Sequence, residues 1–139
     1  MRGRVLAVDY GGKRTGLAVS DPMRIVATPL DAVTSVSLEE TVESVAQVAG
    51  DKDAKVVLVG MPYLPNGHEG EQCARVRLFM RALRERLPES VAIEEIDERF
   101  SSHEARRLLK ASGKKRKDLK DIVDSTAAIV LLREFIATP

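Results

Sequence analysis

Three carboxylates in this chain, Asp9, Glu98 and Asp124, stand where a charge is costly unless something offsets it. Asp9 closes the apolar run Val5-Leu6-Ala7-Val8 just before the Gly11-Gly12 turn signal. Its carboxylate therefore lies beside low-dielectric surroundings and needs a cation, a hydrogen-bond network or exposure. An Asp ahead of a glycine turn can equally serve as a local turn former. Glu98 follows a second strand-like run, Val91 to Ile96, within Asp97-Glu98-Arg99, and plain neutralisation by Arg99 is its alternative. Asp124 is followed at three, four, seven, eight and eleven residues by Ala127, Ala128, Leu131, Leu132 and Phe135. Those offsets put all six on one helical face. A carboxylate on a core-facing stripe must be paired or metal-bound, and a salt bridge to a buried arginine is the other way to satisfy it. Asp121 and Asp97 are candidates for a further acid.

Converging acids of this kind make a hard, oxygen-only site that suits Mg²⁺ or Mn²⁺. One or two such ions could activate water and stabilise the leaving oxygen of a phosphodiester. Zinc is excluded, because the only histidines, His68 and His103, form no ligand-spaced pair. Cys73 falls on the apolar stripe of a helix and reads as core, His103 reads as a solvated first-turn residue, and no Ser-His-Asp order stands out.

The charge distribution supports a phosphate-rich partner. The formal net charge is only +1, yet Arg99 to Lys120 holds nine basic residues against two acidic ones, a local +7. Lys114, Lys115, Arg116 and Lys117 form its densest part. Asp31 to Gln72 carries eight acids against two lysines, a local −6. A basic stripe favours nucleic-acid backbones through counterion release, and a solvated helix face with a basic linker is the bland alternative.

The elements that must position these groups read as follows. Short apolar runs at Val5–Asp9 and Thr15–Ser20, joined by a tight turn, predict an antiparallel hairpin. A third strand near Ile25–Val33 must tolerate Pro29 at an edge or an end. Ser37-Leu-Glu-Glu40 is a capping box opening a helix with Leu38, Val42, Val45 and Ala49 on one face. A buried strand, Lys55–Gly60, leads through a Pro/Asn/Gly-rich loop into a helix from about Glu69 to Arg86, with Cys73, Val76, Phe79, Met80 and Leu83 along one stripe. After the strand at Val91–Ile96, a capping box at Ser101–Glu104 predicts a helix to about Leu109. Ser112-Gly113 and a basic linker follow, then a last helix from about Leu119 to Ile136. This order predicts an α/β fold with a five-stranded mixed sheet, its first three strands an antiparallel meander and its later strands parallel. Ligands of such sheets gather at the carboxyl ends of the strands.

With 139 residues, 44% apolar and 31% charged, the chain reads as one domain spanning residues 1–139, with a core of its own and no disulfide staple. No apolar run approaches the roughly 20 residues of a membrane-spanning helix, and the N-terminus lacks the apolar core and cleavage site of a signal peptide. A single cysteine fits the cytoplasm. No membrane partner is expected.

Asp9-Tyr-Gly-Gly-Lys-Arg14-Thr-Gly16-Leu-Ala-Val-Ser20-Asp21 resembles the opening motif of the YqgF/RuvX family. Val59-Gly60-Met-Pro62 with Gly67, Asp97-Glu98-Arg99-Phe-Ser-Ser, and Val123-Asp124-Ser-Thr-Ala127-Ala128 resemble its later motifs in the same order, over essentially the whole chain. The resemblance implies a ribonuclease H-like nuclease, described for the family either as maturing the 5′ end of pre-16S rRNA or as resolving Holliday junctions. It implies Asp9, Glu98 and Asp124 as the metal-binding catalytic acids, with Arg14 and Arg99 on phosphate. It further implies that Gly60 lets a strand end approach the substrate backbone. Phe100-Ser101-Ser102 departs from the pattern, with serines where threonines are commoner; the hydroxyls remain. The nucleic-acid partner is then precursor rRNA or branched DNA. Paired cuts in a junction would require a symmetric homodimer. Two other classes compete. Asp-x-Gly-Gly also resembles the first phosphate loop of sugar kinases and actin, for whose two lobes the chain is too short. A binding module without catalysis would have to rely on phosphate contacts and shape, since only 4% of residues are aromatic.

Overall fold

The computed structural model describes the backbone of residues 2–99 and 116–137 and the side chains of 2–99 and 126–137. The helix expected from Ser101, its Ser112-Gly113 stop, and Lys114 and Lys115 lie outside the described residues. Strands β1 (Arg4–Asp9), β2 (Arg14–Ser20), β3 (Ala27–Thr34), β4 (Ala54–Met61) and β5 (Ala92–Asp97) alternate with helices α1 (Leu38–Asp51) and α2 (Glu71–Arg86), and α3 (Arg116–Ala137) closes the order. The sheet runs β3-β2-β1-β4-β5. β1, β2 and β3 pair antiparallel, while β4 and β5 add to β1 in parallel. The mixed five-stranded sheet expected from the sequence is the one observed.

β1 sits at the centre because it is apolar on both faces: Val5, Leu6, Ala7 and Val8 are wholly buried. Its side chains alternate between two cores. Leu6 and Val8, with Leu17, Val57, Val59 and Met61, pack against the buried stripes of α1 (Val42, Val45, Ala49) and α2 (Cys73, Val76, Phe79, Leu83). Val5 and Ala7, with Ala18, Val56 and Leu58, pack against Ala128 and Leu132 of α3. The small Ala127 and Ala128 bring α3 close to β1, β2 and β3.

Local devices set the ends. Ser37 caps α1, accepting the Glu40 N–H at 3.1 Å, but the reciprocal arm of the capping box is relayed. Ser35 Oγ accepts the Ser37 N–H and donates to Glu40 Oε2. β3 starts two residues later than expected, and Pro29 lies in it as an edge strand permits. A register shift opposite Gly16 makes a bulge there, which blunts the exposed edge. α3 begins at Arg116, three residues before the expected start. Arg116 and Lys117, expected in a linker, are thus in its first turn, because neither residue opposes helix formation.

Candidate active site

Asp9 is the last residue of β1, and alternation places it on the α3 face with Val5 and Ala7. Glu98 follows β5 by one residue; its backbone N–H donates to Met61 O at 3.2 Å, extending the β4–β5 pairing past the end of the strand. It lies on the same face as Ile96. β4 separates β1 from β5, so two strand spacings, about 10 Å, lie between their backbones. The carboxyl groups nevertheless meet, and Glu98 is hydrogen-bonded to Asp9 across β4.

Gly60 makes this reach possible. A Cβ there would fall on Glu98 Oε2, 3.0 Å from Glu98 Cδ and 2.8 Å from Leu131 Cδ1. The missing side chain leaves the lane through which the Glu98 carboxyl crosses β4, roofed by Leu131 of α3. In this structure, therefore, Glu98 and Leu131 fill the space over Gly60.

The turn after Asp9 is braced on both sides. Thr15, almost wholly buried, exchanges hydrogen bonds with the backbone of Gly11 at 3.3 Å. Gly11 sits so near the Arg14 carbonyl that no Cβ would fit. Tyr10 stacks on Phe79 of α2, with centroids 4.5 Å apart and planes inclined by 22°. Arg14, the first residue of β2, lies beyond the Asp9–Gly16 pairing, at the same end of the sheet.

The electrostatics divide the acids. Burial first, then the charge of Asp9, their mutual hydrogen bond and the charge of Asp97 push the Glu98 carboxyl up to about 9. At neutral pH the pair holds a proton that two adjacent carboxylates cannot both give up. Asp97 points the other way. Burial would raise it, but Arg99 outweighs this and holds it below the usual carboxylate range. Arg99 donates to Asp97 through Nε at 2.9 Å and its backbone N–H at 3.0 Å, with Nη2 in ion-pair contact at 2.8 Å, and Nη1 faces the Pro65 carbonyl at 3.5 Å. Asp97 is thus engaged by Arg99 and does not join the Asp9–Glu98 pair.

The third sequence candidate, Asp124, is in α3, and its side chain lies outside the described residues, as does that of Asp121. Helical spacing keeps position 124 on the face of Ala128, Leu131 and Leu132. Among the described residues no group of three potential ligands stands ready for a metal. Asp9 and Glu98 supply two hard oxygen donors, and the proton they share marks a place where a divalent cation would relieve repulsion. Mg²⁺ and Mn²⁺ fit this donor chemistry. Cys73 is buried core, as expected. Sequence reasoning missed the cluster of Tyr63, Glu69, Arg77 and Glu95 beside this end of the sheet; its members are spread over three segments and leave no periodic signal.

Comparison with known proteins agrees over the full length. The model of the family described as "RuvX: Holliday junction resolvase" matches residues 3–138. A Bacteroides fragilis protein named "Putative pre-16S rRNA nuclease" is 35% identical, covering 97% of this chain and 96% of its own length. A relative of the same name from Chlorobium luteolum is 37% identical, over 97% of this chain and 94% of its own. Among solved structures, Thermus thermophilus RuvC in complex with a Holliday junction substrate superposes with a TM-score of 0.63 at 14% identity, covering 99% of this chain and 98% of that one. The Fowlpox virus resolvase with Holliday junction DNA gives 0.57 at 14% identity, covering 95% and 98%. These structural likenesses establish the fold.

Proposed function

Since the chain belongs to the RuvX family, we propose that it is a divalent-metal-dependent endonuclease that hydrolyses phosphodiesters in structured nucleic acid and processes the 5′ end of pre-16S rRNA. The observation that carries this reading is the meeting of the Asp9 and Glu98 carboxyls across Gly60, at the carboxyl ends of the strands where such sheets place their chemistry.

Asp9, Glu98 and Asp124 are the residues that would hold Mg²⁺ or Mn²⁺. The bound cation would supply charge stabilisation at the phosphate and a water of lowered pKa. Glu98 is protonated while the pair is alone, and a bound cation would favour its ionised form. Arg99, oriented by Asp97, and Arg14, at the same sheet end, bind and align phosphate oxygens. Lys114, Lys115, Arg116 and Lys117 gather the backbone electrostatically. The working unit is one domain, residues 1–139, acting in the cytoplasm. Among the described residues no helix is long and apolar enough to cross a membrane.

Purified protein should cut a precursor-rRNA end in Mg²⁺ or Mn²⁺ and lose that activity in chelator. Asp9→Asn should lose at least about 10³-fold in kcat, since the site depends on preorganised charge. An Asn variant as active as the parent would place the chemistry elsewhere. The second reading, resolution of four-way DNA junctions, is favoured by the family's description and by the resolvase fold. The same assay on a junction beside the rRNA end discriminates the two. Symmetric paired cuts by a dimer would favour the junction, and activity as a monomer would favour RNA. Retained binding with no cleavage under any divalent ion would instead indicate a binding module.

A further inference from the structure

Four polar side chains from three segments meet beside the Glu98 end of the sheet. Arg77 of α2 grips Glu69, at the exit of the loop spanning residues 62–70, through Nε at 2.6 Å and Nη2 at 2.8 Å. Its third nitrogen, Nη1, reaches Glu95 of β5 at 3.1 Å. The other Glu95 oxygen accepts the Tyr63 hydroxyl at 3.0 Å, at the entry of the same loop. Both ends of the loop are thus tied to β5 at Glu95, three residues before Glu98: the Glu69 end through the Arg77 guanidinium, the Tyr63 end directly. The loop is internally closed as well: Leu64 N–H donates to His68 O, Gly67 N–H to Leu64 O, and His68 N–H to Asn66 Oδ1. The loop is thereby closed on itself, and its Pro65 carbonyl faces Arg99.

This arrangement is costly in side-chain order for what it returns in stability. Arg77, Glu69 and Glu95 are each about two-fifths exposed, and exposed ion pairs contribute little to folding. A forked guanidinium engaging two carboxylates does, however, fix geometry in a way a single charge cannot. Among the described residues β5 is an edge strand, paired only with β4, and no other described strand holds its outer side. We infer that Arg77 is a positioning residue for nucleic-acid binding. Through Glu69, Glu95 and Tyr63 it holds the 62–70 loop and the Asp97–Arg99 segment in one register, so that Arg99 meets phosphate beside Glu98. The inference rests on the nuclease reading and adds to it a group that does not itself touch the reacting atoms. The network also leaves a mark on Tyr63, whose hydroxyl is held above its ordinary range chiefly by the hydrogen bond to Glu95.

The test uses the full chain as wild type, Arg77→Gln, Arg77→Lys, Tyr63→Phe and the Arg77→Gln/Tyr63→Phe double variant. Binding of a fluorescent four-way junction and an RNA hairpin is followed by anisotropy in Ca²⁺, and cleavage in Mn²⁺. Arg77→Gln should weaken binding and raise KM by about tenfold while kcat stays within about twofold, the pattern of lost positioning rather than lost chemistry. Tyr63→Phe should cost about threefold, and the double variant little more than Arg77→Gln alone, because both act through one network. Arg77→Lys should restore only part, having no fork. Thermal melting should barely move. The chain has two tyrosines, so Glu95→Gln should visibly lower one step of the ultraviolet phenol titration. Binding by Arg77→Gln as tight as wild type, a loss confined to kcat, or a phenol titration indifferent to Glu95→Gln would overturn the inference. Wild type that binds these probes but never cuts them would sink the nuclease reading while leaving the binding comparison decisive.

Discussion

Glu98→Gln should make the protein more stable at alkaline pH while abolishing its activity. The wild-type carboxyl ordinarily titrates at 4.5 and is pushed up to about 9 in the fold. Below pH 4.5 the group is protonated whether the chain is folded or unfolded, and it contributes nothing to pH dependence. Between 4.5 and 9 the unfolded chain binds fewer protons at this group than the folded one. Folding stability therefore falls as pH rises, by at most about 1.4 kcal/mol per pH unit. From pH 5 to pH 8 this is an upper limit of about 4 kcal/mol, or roughly 12 °C in Tm for a domain of this size. Gln reproduces the shape of the protonated carboxyl and cannot ionise, so the variant should lack this slope. Thermal melts from pH 5 to 9 in chelator measure it as the difference between wild type and variant, which removes the contribution of other groups. Mn²⁺ should narrow the gap. At a hundred times its Kd it should stabilise wild type by about 2.7 kcal/mol, at a concentration that falls as pH rises because the shared proton is then easier to displace, and it should do little for the variant. Parallel wild-type and variant curves across pH in chelator would refute the reasoning, because the Asp9–Glu98 pair would then not be sharing a proton.

Gly60→Ala puts a methyl group on the Glu98 carboxyl and 2.8 Å from Leu131 Cδ1. It should cost about 1–3 kcal/mol in chemical denaturation and reduce cleavage further, by displacing Glu98 from Asp9. Phe79→Ala empties a fully buried site and removes the ring on which Tyr10 stacks. A loss of about 3–5 kcal/mol in urea unfolding is expected, and Phe79→Leu should lose less. Replacing Lys114, Lys115 and Lys117 by Gln should weaken binding about equally for different nucleic-acid sequences and flatten the slope of log K against log salt by roughly 2–3, read from anisotropy titrations at several salt concentrations. An unchanged slope would mean that these residues do not meet phosphates.

Much of the fold is legible in local patterns. The unbroken apolar run of β1, the capping box at Ser37, and the 3.6-residue stripes of α1 and α2 each state which face is buried, because side-chain spacing alone sets those faces. The misplaced boundaries lie where local signals are weak. β3 starts late because the backbone N–H groups of Ile25 and Val26 are taken by the Asp21 carboxylate, a turn contact that strand periodicity does not reveal. α3 starts early because Arg116 and Lys117 are acceptable in a helix and their charge says nothing about structure.

For the site, the chain order nominates acids at strand ends, and residue chemistry nominates the kind of cation. Neither says that Glu98 can reach Asp9. That is decided by β4 lying between β1 and β5, by the side-chain alternation that turns Asp9, Gly60 and Glu98 to the α3 face, and by the absence of a Cβ at Gly60. The same holds for Asp97: adjacent to Glu98 in sequence, it is turned to the other face and claimed by Arg99. The Arg77 network is further still from anything local, since its partners are 8, 14 and 18 residues away along the chain. The sequence alone determined which groups could do chemistry and which stripes would be buried, since both follow from residue type and spacing. Which carboxyls share a proton, and which arginine holds which loop, depended on strand order and side-chain reach, and these exist only once the sheet has formed.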